Sequence, residues 1–366
     1  MALFMAEREI FSSCAEPNER NGRSGQHLRI IDMKKISVPG RNHWLARFQR
    51  STHHGDILWS GLIIVASFLV LAIVVAIGWM LWQQSADARA KLGWAFILPT
   101  SNATWDPLAG VYQSWAFIYG TLITSLFAII FAVPVSLGIA VFLAELCPES
   151  LRLPLGWMIE LLAAIPSVVY GLWGIFVFLP KVVVPVGQGL FAALGQIPLL
   201  RVFFTGPIPL SGSSRLGAAM VLTIMIVPTI TAISRDVLLA IPDTQREAAM
   251  GMGSTRWEMI WQVLLPYGLS GILGAIILGL GRALGETMAV TMVIGNSLEA
   301  TNSLLKPGST MASLLANQFK EAVSQLHSDA MIEIGLTLFV ITLILNLIAR
   351  FLVWQVARRT PQEARA

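Results

Sequence analysis

The chain is patterned by long uncharged runs rather than by short alternations. Residues 57–86, 107–144, 161–180, 216–234 and 334–349 hold no Asp, Glu, Lys or Arg. About 20 apolar residues suffice to cross a ~30 Å hydrocarbon core, and these runs far exceed the ~10-residue alternating strands of an outer-membrane barrel. The pattern predicts an all-α integral membrane protein. Six spans are expected, over 57–82, 115–144, 155–180, 215–236, 263–295 and 331–356. They lie within a transmembrane domain, 57–357, flanked by a polar basic tail, 1–56, and a short tail, 358–366. The first run is longer than the 7–15 residues of a secretory h-region and follows 56 polar residues, so it reads as a retained helix.

Tryptophans support these boundaries. Trp79 and Trp82 close the first span, Trp115 opens the second and Trp354 lies near the end of the sixth, where interfacial rings belong. Pro134, Pro166 and Pro228 fall inside spans. Each frees backbone groups that neighbouring helices must satisfy, which implies a packed bundle.

Composition agrees: 55% of the 366 residues are hydrophobic, 13% are charged and the mean hydropathy is +0.69. Soluble domains carry about a quarter charged residues. With the N-terminus inside, the inner segments hold seventeen Lys and Arg and the outer ones seven, leaving Arg282 within a span. The positive-inside tendency therefore places both termini in the cytoplasm. The net charge of +4 is explained by this excess, and no basic, aromatic-interleaved motif calls for nucleic acid. The patch Arg41–Arg50 either meets anionic membrane lipid or serves only as a topology signal. Cys14 and Cys147 are too isolated for a disulfide framework or metal cluster, and His53-His54 reads as a solvated pair.

Two stretches carry candidate chemistry. LGLGRALGETMAVTMVIGN, residues 278–296, puts Arg282 and Glu286 in an apolar setting beside four glycines. An arginine at the bilayer centre costs ~2.5–3.5 kcal/mol on insertion scales, and Arg282 falls ~24 Å along a helix that starts near Pro266. Three readings are open: an intrahelical i, i+4 ion pair; a proton relay through Glu286; or an anion path. In the last, the guanidinium binds oxyanions bidentately and glycines break the helix so that N–H groups face the anion.

The second stretch, IPDTQREAAMGMGSTRWEMIWQVLLP over 241–266, predicts two short helices. The first follows Pro242-Asp243 and ends at Gly251 and Gly253. The second opens on a Thr255…Glu258 capping box and carries Trp257, Ile260, Trp261, Leu264 and Leu265 on one face. Periodicity leaves it open whether this element lies on the membrane or docks a partner. No G-x-x-x-x-G-K-[ST] occurs in the chain, and G279-x-G281 lacks the third glycine of a dinucleotide motif.

Glu247-Ala248-Ala249, Gly253, Val263, Leu265 and Pro266 resemble the EAA loop of ABC importer permeases, with Val where Ile is common. The resemblance implies a type I ABC importer permease fold. It also implies that Glu247, Ala248, Ala249 and Gly253 couple the chain to an ATPase and take no part in catalysis. GLGRALGETMAVTMVIGN, with 165–180 and 117–146, is similar to one subset, the PstC-type permease subunits of phosphate importers; the likeness covers roughly 110–357. It implies a bacterial inner-membrane subunit, not an enzyme, paired with a PstA-type permease, two ATPase subunits and a periplasmic phosphate-binding protein. No cofactor is expected on this chain, since ATP-Mg would sit on the ATPase. The substrate path would run by Arg282 and Glu286, with Ser167, Tyr170 and Thr287 as hydroxyl-bearing positions in the same motifs. A permease for molybdate, sulfate or phosphonate is the alternative; an autonomous secondary transporter would have no use for the EAA loop.

Overall fold

The computed structural model describes residues 54–98, 105–197 and 201–359. The expectations for the tail before residue 54, including the basic patch, and for most of the short C-terminal tail lie outside the described residues. Contacts divide the chain within its first helix, between Leu69 and Val70. Residues 54–69 are the first half of that helix, and the body below is built from residues 70–359.

Helices dominate, as the uncharged runs predicted. In chain order they are α1 (His54–Gln84), α2 (Ala86–Leu92), α3 (Trp115–Val141), α4 (Glu149–Ala164), α5 (Ser167–Trp173), α6 (Val184–Leu194) and α7 (Arg215–Leu239). There follow α8 (Asp243–Gly251), α9 (Arg256–Met259), α10 (Leu265–Gly285), α11 (Met288–Val293), α12 (Met311–Gln318) and α13 (Gln325–Arg359). Six helical stretches among the described residues are long and apolar enough to span a bilayer: Trp59–Gln84, Trp115–Leu146, Ser167–Leu194, Arg215–Leu239, Arg256–Gly285 and Gln325–Gln355. The most apolar window of the first holds no buried residue. Its all-round apolar surface is stable only against lipid or another apolar protein surface.

Two spans differ from the sequence pattern. The third, expected over 155–180, is interrupted where Ile165 and Pro166 turn extended between α4 and α5. Residues after this break run helically from Ser167 to Leu194, through a wide π-helical stretch at Gly174–Val183. The proline explains it: its ring disfavours helical geometry in Ile165, while its own fixed φ suits a helix start. The fifth, expected over 263–295, ends at Gly285, and Glu286 is extended (φ −68°, ψ 121°) before α11 begins.

The core is centred on α7, which packs against α3 and α10. The α3 face against it is a four-residue repeat of small side chains: Gly120, Thr124, Ala128, Ala132, Ser136 and Ala140, all buried. Such faces let helix backbones approach in a membrane, where apolar burial against lipid contributes no drive. Side-chain hydrogen bonds cross the same contact. Ser136 donates to the Val227 carbonyl at 3.2 Å, and Thr231 donates to the Ser136 carbonyl at 3.4 Å. These bonds tie α3 to α7 beside Pro134 and Pro228.

At the other end of α7, residues 295–310 form a strap. The backbone N–H groups of Arg215 and Leu216 donate to the carbonyls of Lys306 and Leu304. The fully buried Arg215 guanidinium donates to Thr301 Oγ1 (2.7 Å) and the Ser303 carbonyl (3.0 Å). Side-chain bulk is excluded beneath the strap, because a Cβ on Gly120 would collide with the Ser309 carbonyl. Backbone cannot yield as a side-chain tip does. Gly120→Ala is therefore expected to destabilise the folded chain by about 1–3 kcal/mol, read as a lower melting temperature of the purified complex. A wild-type melt would contradict the packing described.

Candidate functional site

The break after α10 settles how an apolar segment tolerates two charges. Arg282 lies in the last turn of α10, where the carbonyl end of the helix dipole favours a cation. Glu286 stands just before α11 and its Oε1 accepts from the Ala289 N–H at 3.2 Å, so the carboxylate meets a helix's positive end. The two face opposite helix poles, and among the described residues no ion pair within 4.0 Å joins them. The intrahelical i, i+4 pair is thus ruled out in this structure, because the helix that would put both on one face ends between them.

Arg282 is half-buried, and its Nη1 donates to Thr229 Oγ1 at 3.1 Å. Thr229 lies near the middle of α7. On α5, the Tyr170 hydroxyl donates to the Leu162 carbonyl at 2.9 Å. The helices α5 and α11 lie close together at the neighbouring Gly171. A Cβ on Gly171 would stand 2.6 Å from Met292 Sδ and 3.2 Å from Ala289 Cα. Ser167 is half-buried in the first turn of α5, next to Pro166. Thr287 Oγ1 donates to the Gly285 carbonyl at 3.2 Å, inside the break itself. The fold therefore gathers Arg282, Tyr170, Glu286 and Thr287 around two helix interruptions, and adds Thr229, which no sequence motif had marked.

Beside the break lies an open cleft of about 400 Å³, lined by Gly285 and Thr287 of the break, by Ala312, Leu315 and Ala316 of α12, and by Phe319, Lys320 and Leu338.

The 241–266 loop forms as its pattern predicted. Gly253 has φ +85°, a left-handed turn that costs a glycine nothing, and the Thr255–Glu258 capping box is complete. The second helix runs on without interruption into α10. Glu247 and Ala248 are exposed, whereas Ala249 packs into a cluster with Ala144, Leu238, Ile241 and Ile260. What holds α8 in place is Arg246. Its Nη2 meets Glu145 Oε1 at 2.9 Å at the end of the second span and donates to the Leu238 carbonyl at 2.8 Å, and its Nη1 reaches Asp243 at 3.0 Å. Sequence reasoning missed this anchor, because Glu145 and Arg246 lie a hundred residues apart.

The profile described as "Binding-protein-dependent transport system inner membrane component" matches residues 136–361, and the chain belongs to that family. It is thus a multi-pass inner-membrane permease subunit of an ABC transporter, not a catalytic subunit, and such permeases work with a second permease, ATPases and a binding protein.

Within the family its relatives are phosphate transport system permease proteins PstC. The one from Pasteurella multocida is 45% identical over 292 residues, covering 80% of this chain and 88% of its own. That from Xylella fastidiosa is 44% identical over 326 residues, 89% of this chain and 97% of its own. The resemblance of the chain to PstC-type permeases therefore stands. Among solved structures, a bacterial alginate ABC transporter in complex with a pentasaccharide-bound periplasmic protein matches with TM-score 0.51 and 15% identity. It covers 82% of this chain and 96% of that one, a likeness of fold alone.

Proposed function

We infer that this chain is the permease subunit of an ATP-driven importer that carries inorganic phosphate into the cytoplasm. The observation that carries the reading is the helix break at Glu286, which leaves Arg282 in the last turn of α10, held by one hydroxyl and not neutralised by the glutamate beside it. A guanidinium so placed keeps donors for a phosphate oxygen pair. Relatives named for phosphate transport support the choice of anion.

The finer parts of the reading follow the same logic. Arg282, Glu286, Thr287, Ser167 and Tyr170 form the stretch of the path contributed by this chain, completed by a PstA-type permease. Two ATPase subunits holding ATP-Mg engage Glu247, Ala248 and Gly253, and a phosphate-loaded binding protein docks on the opposite face. Both termini face the cytoplasm, as the Lys and Arg distribution requires. ATP-driven closure of the ATPases moves α8, which is bolted by Arg246 to the second span, and so switches the bundle between inward and outward access.

The direct test is uptake by proteoliposomes holding the co-expressed complex. Phosphate is expected to enter only with ATP inside the cytoplasmic compartment, and a tenfold excess of sulfate or molybdate is expected to leave that entry unchanged. ATP-dependent uptake of one of those anions in place of phosphate would move the chain to the alternative oxyanion reading.

A further inference from the structure

We propose that Lys320 is a second cation of the anion path, receiving the hydrated oxyanion at the rim of the cleft beside the break before it reaches Arg282. The inference rests on the anion-path reading above and adds to it a capture step. Lys320 sits on the turn Phe319–Glu321, directly after α12, and is exposed. It is the only charged residue on the cleft wall, and among the described residues it takes part in no ion pair. Its chain neighbour Glu321 is exposed and does not line the cleft.

The remaining wall is apolar, from Ala312, Leu315, Ala316, Phe319 and Leu338. A cleft walled by low-dielectric side chains and carrying one sign of charge focuses the field and concentrates counter-ions. Its inner wall is Gly285 and Thr287, the residues on either side of the extended Glu286 in the break between Arg282 and α11. An anion drawn in by Lys320 thus arrives at the interruption that holds Arg282 and Thr287. About 400 Å³ is roughly thirteen times the ~30 Å³ share of one water, so a small oxyanion enters with part of its hydration shell.

The two cations suit different steps. An ammonium on a flexible stem is a strongly hydrated point charge, fit to attract and let go. The guanidinium fork is weakly hydrated and matches a pair of oxyanion oxygens. Capture by lysine followed by selection at arginine divides the dehydration of the anion into stages.

The test uses the whole complex in proteoliposomes, with the binding protein at saturation and phosphate as the probe. Lys320→Gln is expected to lower the maximal uptake rate about tenfold, the lower end of field-focusing effects, and Lys320→Arg to restore most of it. Raising ionic strength from about 0.01 to about 0.1 M shortens the screening length from ~30 to ~10 Å, and is expected to slow the wild type more than Lys320→Gln. Two results would overturn the proposal: a Lys320→Gln rate equal to wild type, or a deficit that vanishes once the binding protein saturates, which would make Lys320 a docking contact. Arg282→Gln is run alongside. If it abolishes uptake while Lys320→Gln does nothing, the anion path survives and only the capture step falls.

Discussion

Arg282→Gln is expected to lower ATP-dependent phosphate uptake by about a hundredfold or more while the subunits still assemble. The glutamine ends two bonds short of the Nη1 that meets Thr229, so that one bond is lost, while the backbones of α10 and α7 and their apolar packing are unchanged. What disappears is the charge and the fork. Removing one partner of a desolvated charge contact costs about 2–5 kcal/mol, and each 1.4 kcal/mol is tenfold. Arg282→Lys restores charge without the bidentate geometry and is expected to fall between the two. Glu286→Gln separates the roles of the pair. Its side-chain oxygen still accepts from Ala289, so the break persists, and uptake is expected to suffer far less than in Arg282→Gln. Uptake by proteoliposomes, normalised to complex assembled, decides the order. Equal losses for Arg282→Gln and Glu286→Gln would mean that the two act as one unit, contrary to the geometry.

The second large effect concerns the link to the ATPase. Arg246→Met is expected to abolish transport and to lower the melting temperature of the complex. Arg246 and Glu145 side chains are 18% and 10% exposed, and stripping one partner from such a pair costs about 3–5 kcal/mol. Here it also removes the side-chain donor to the carbonyls of Leu238 and Ile241. The α8 helix would then be attached chiefly through Ala249 and its apolar neighbours, too loosely to pass on a push. Glu247→Arg makes the informative comparison. Glu247 is exposed and makes no internal ion pair among the described residues, so its reversal is expected to leave the melt unchanged and to reduce ATPase co-purification. If both variants melt as wild type and both lose the ATPase, Arg246 is a docking residue and not the internal anchor.

The 241–266 loop was the most legible part of the chain, since helix starts, the capping box and the glycine turn are local devices with fixed spacing. The small-residue face of α3 is equally visible once one counts in fours from Gly120, although which helix it meets is not. Span boundaries were readable only where charge marks them. Ile165–Pro166 and Gly285–Glu286 are breaks inside apolar sequence, and hydropathy averages across them.

By itself the sequence determined that the chain spans the membrane as helices, and that Arg282 and Glu286 need a reason to be there. Those follow from transfer free energies and local backbone preferences, which act residue by residue. Only the tertiary structure decided what that reason is. The fold ends α10 between the two charges, sends Arg282 to Thr229 and Glu286 to the start of α11, and brings Tyr170 and the cleft of Lys320 to the gap. Glu286 finds its partner locally, but Arg282 and Thr229 lie 53 residues apart along the chain, and they meet because α7 and α10 pack in one particular way.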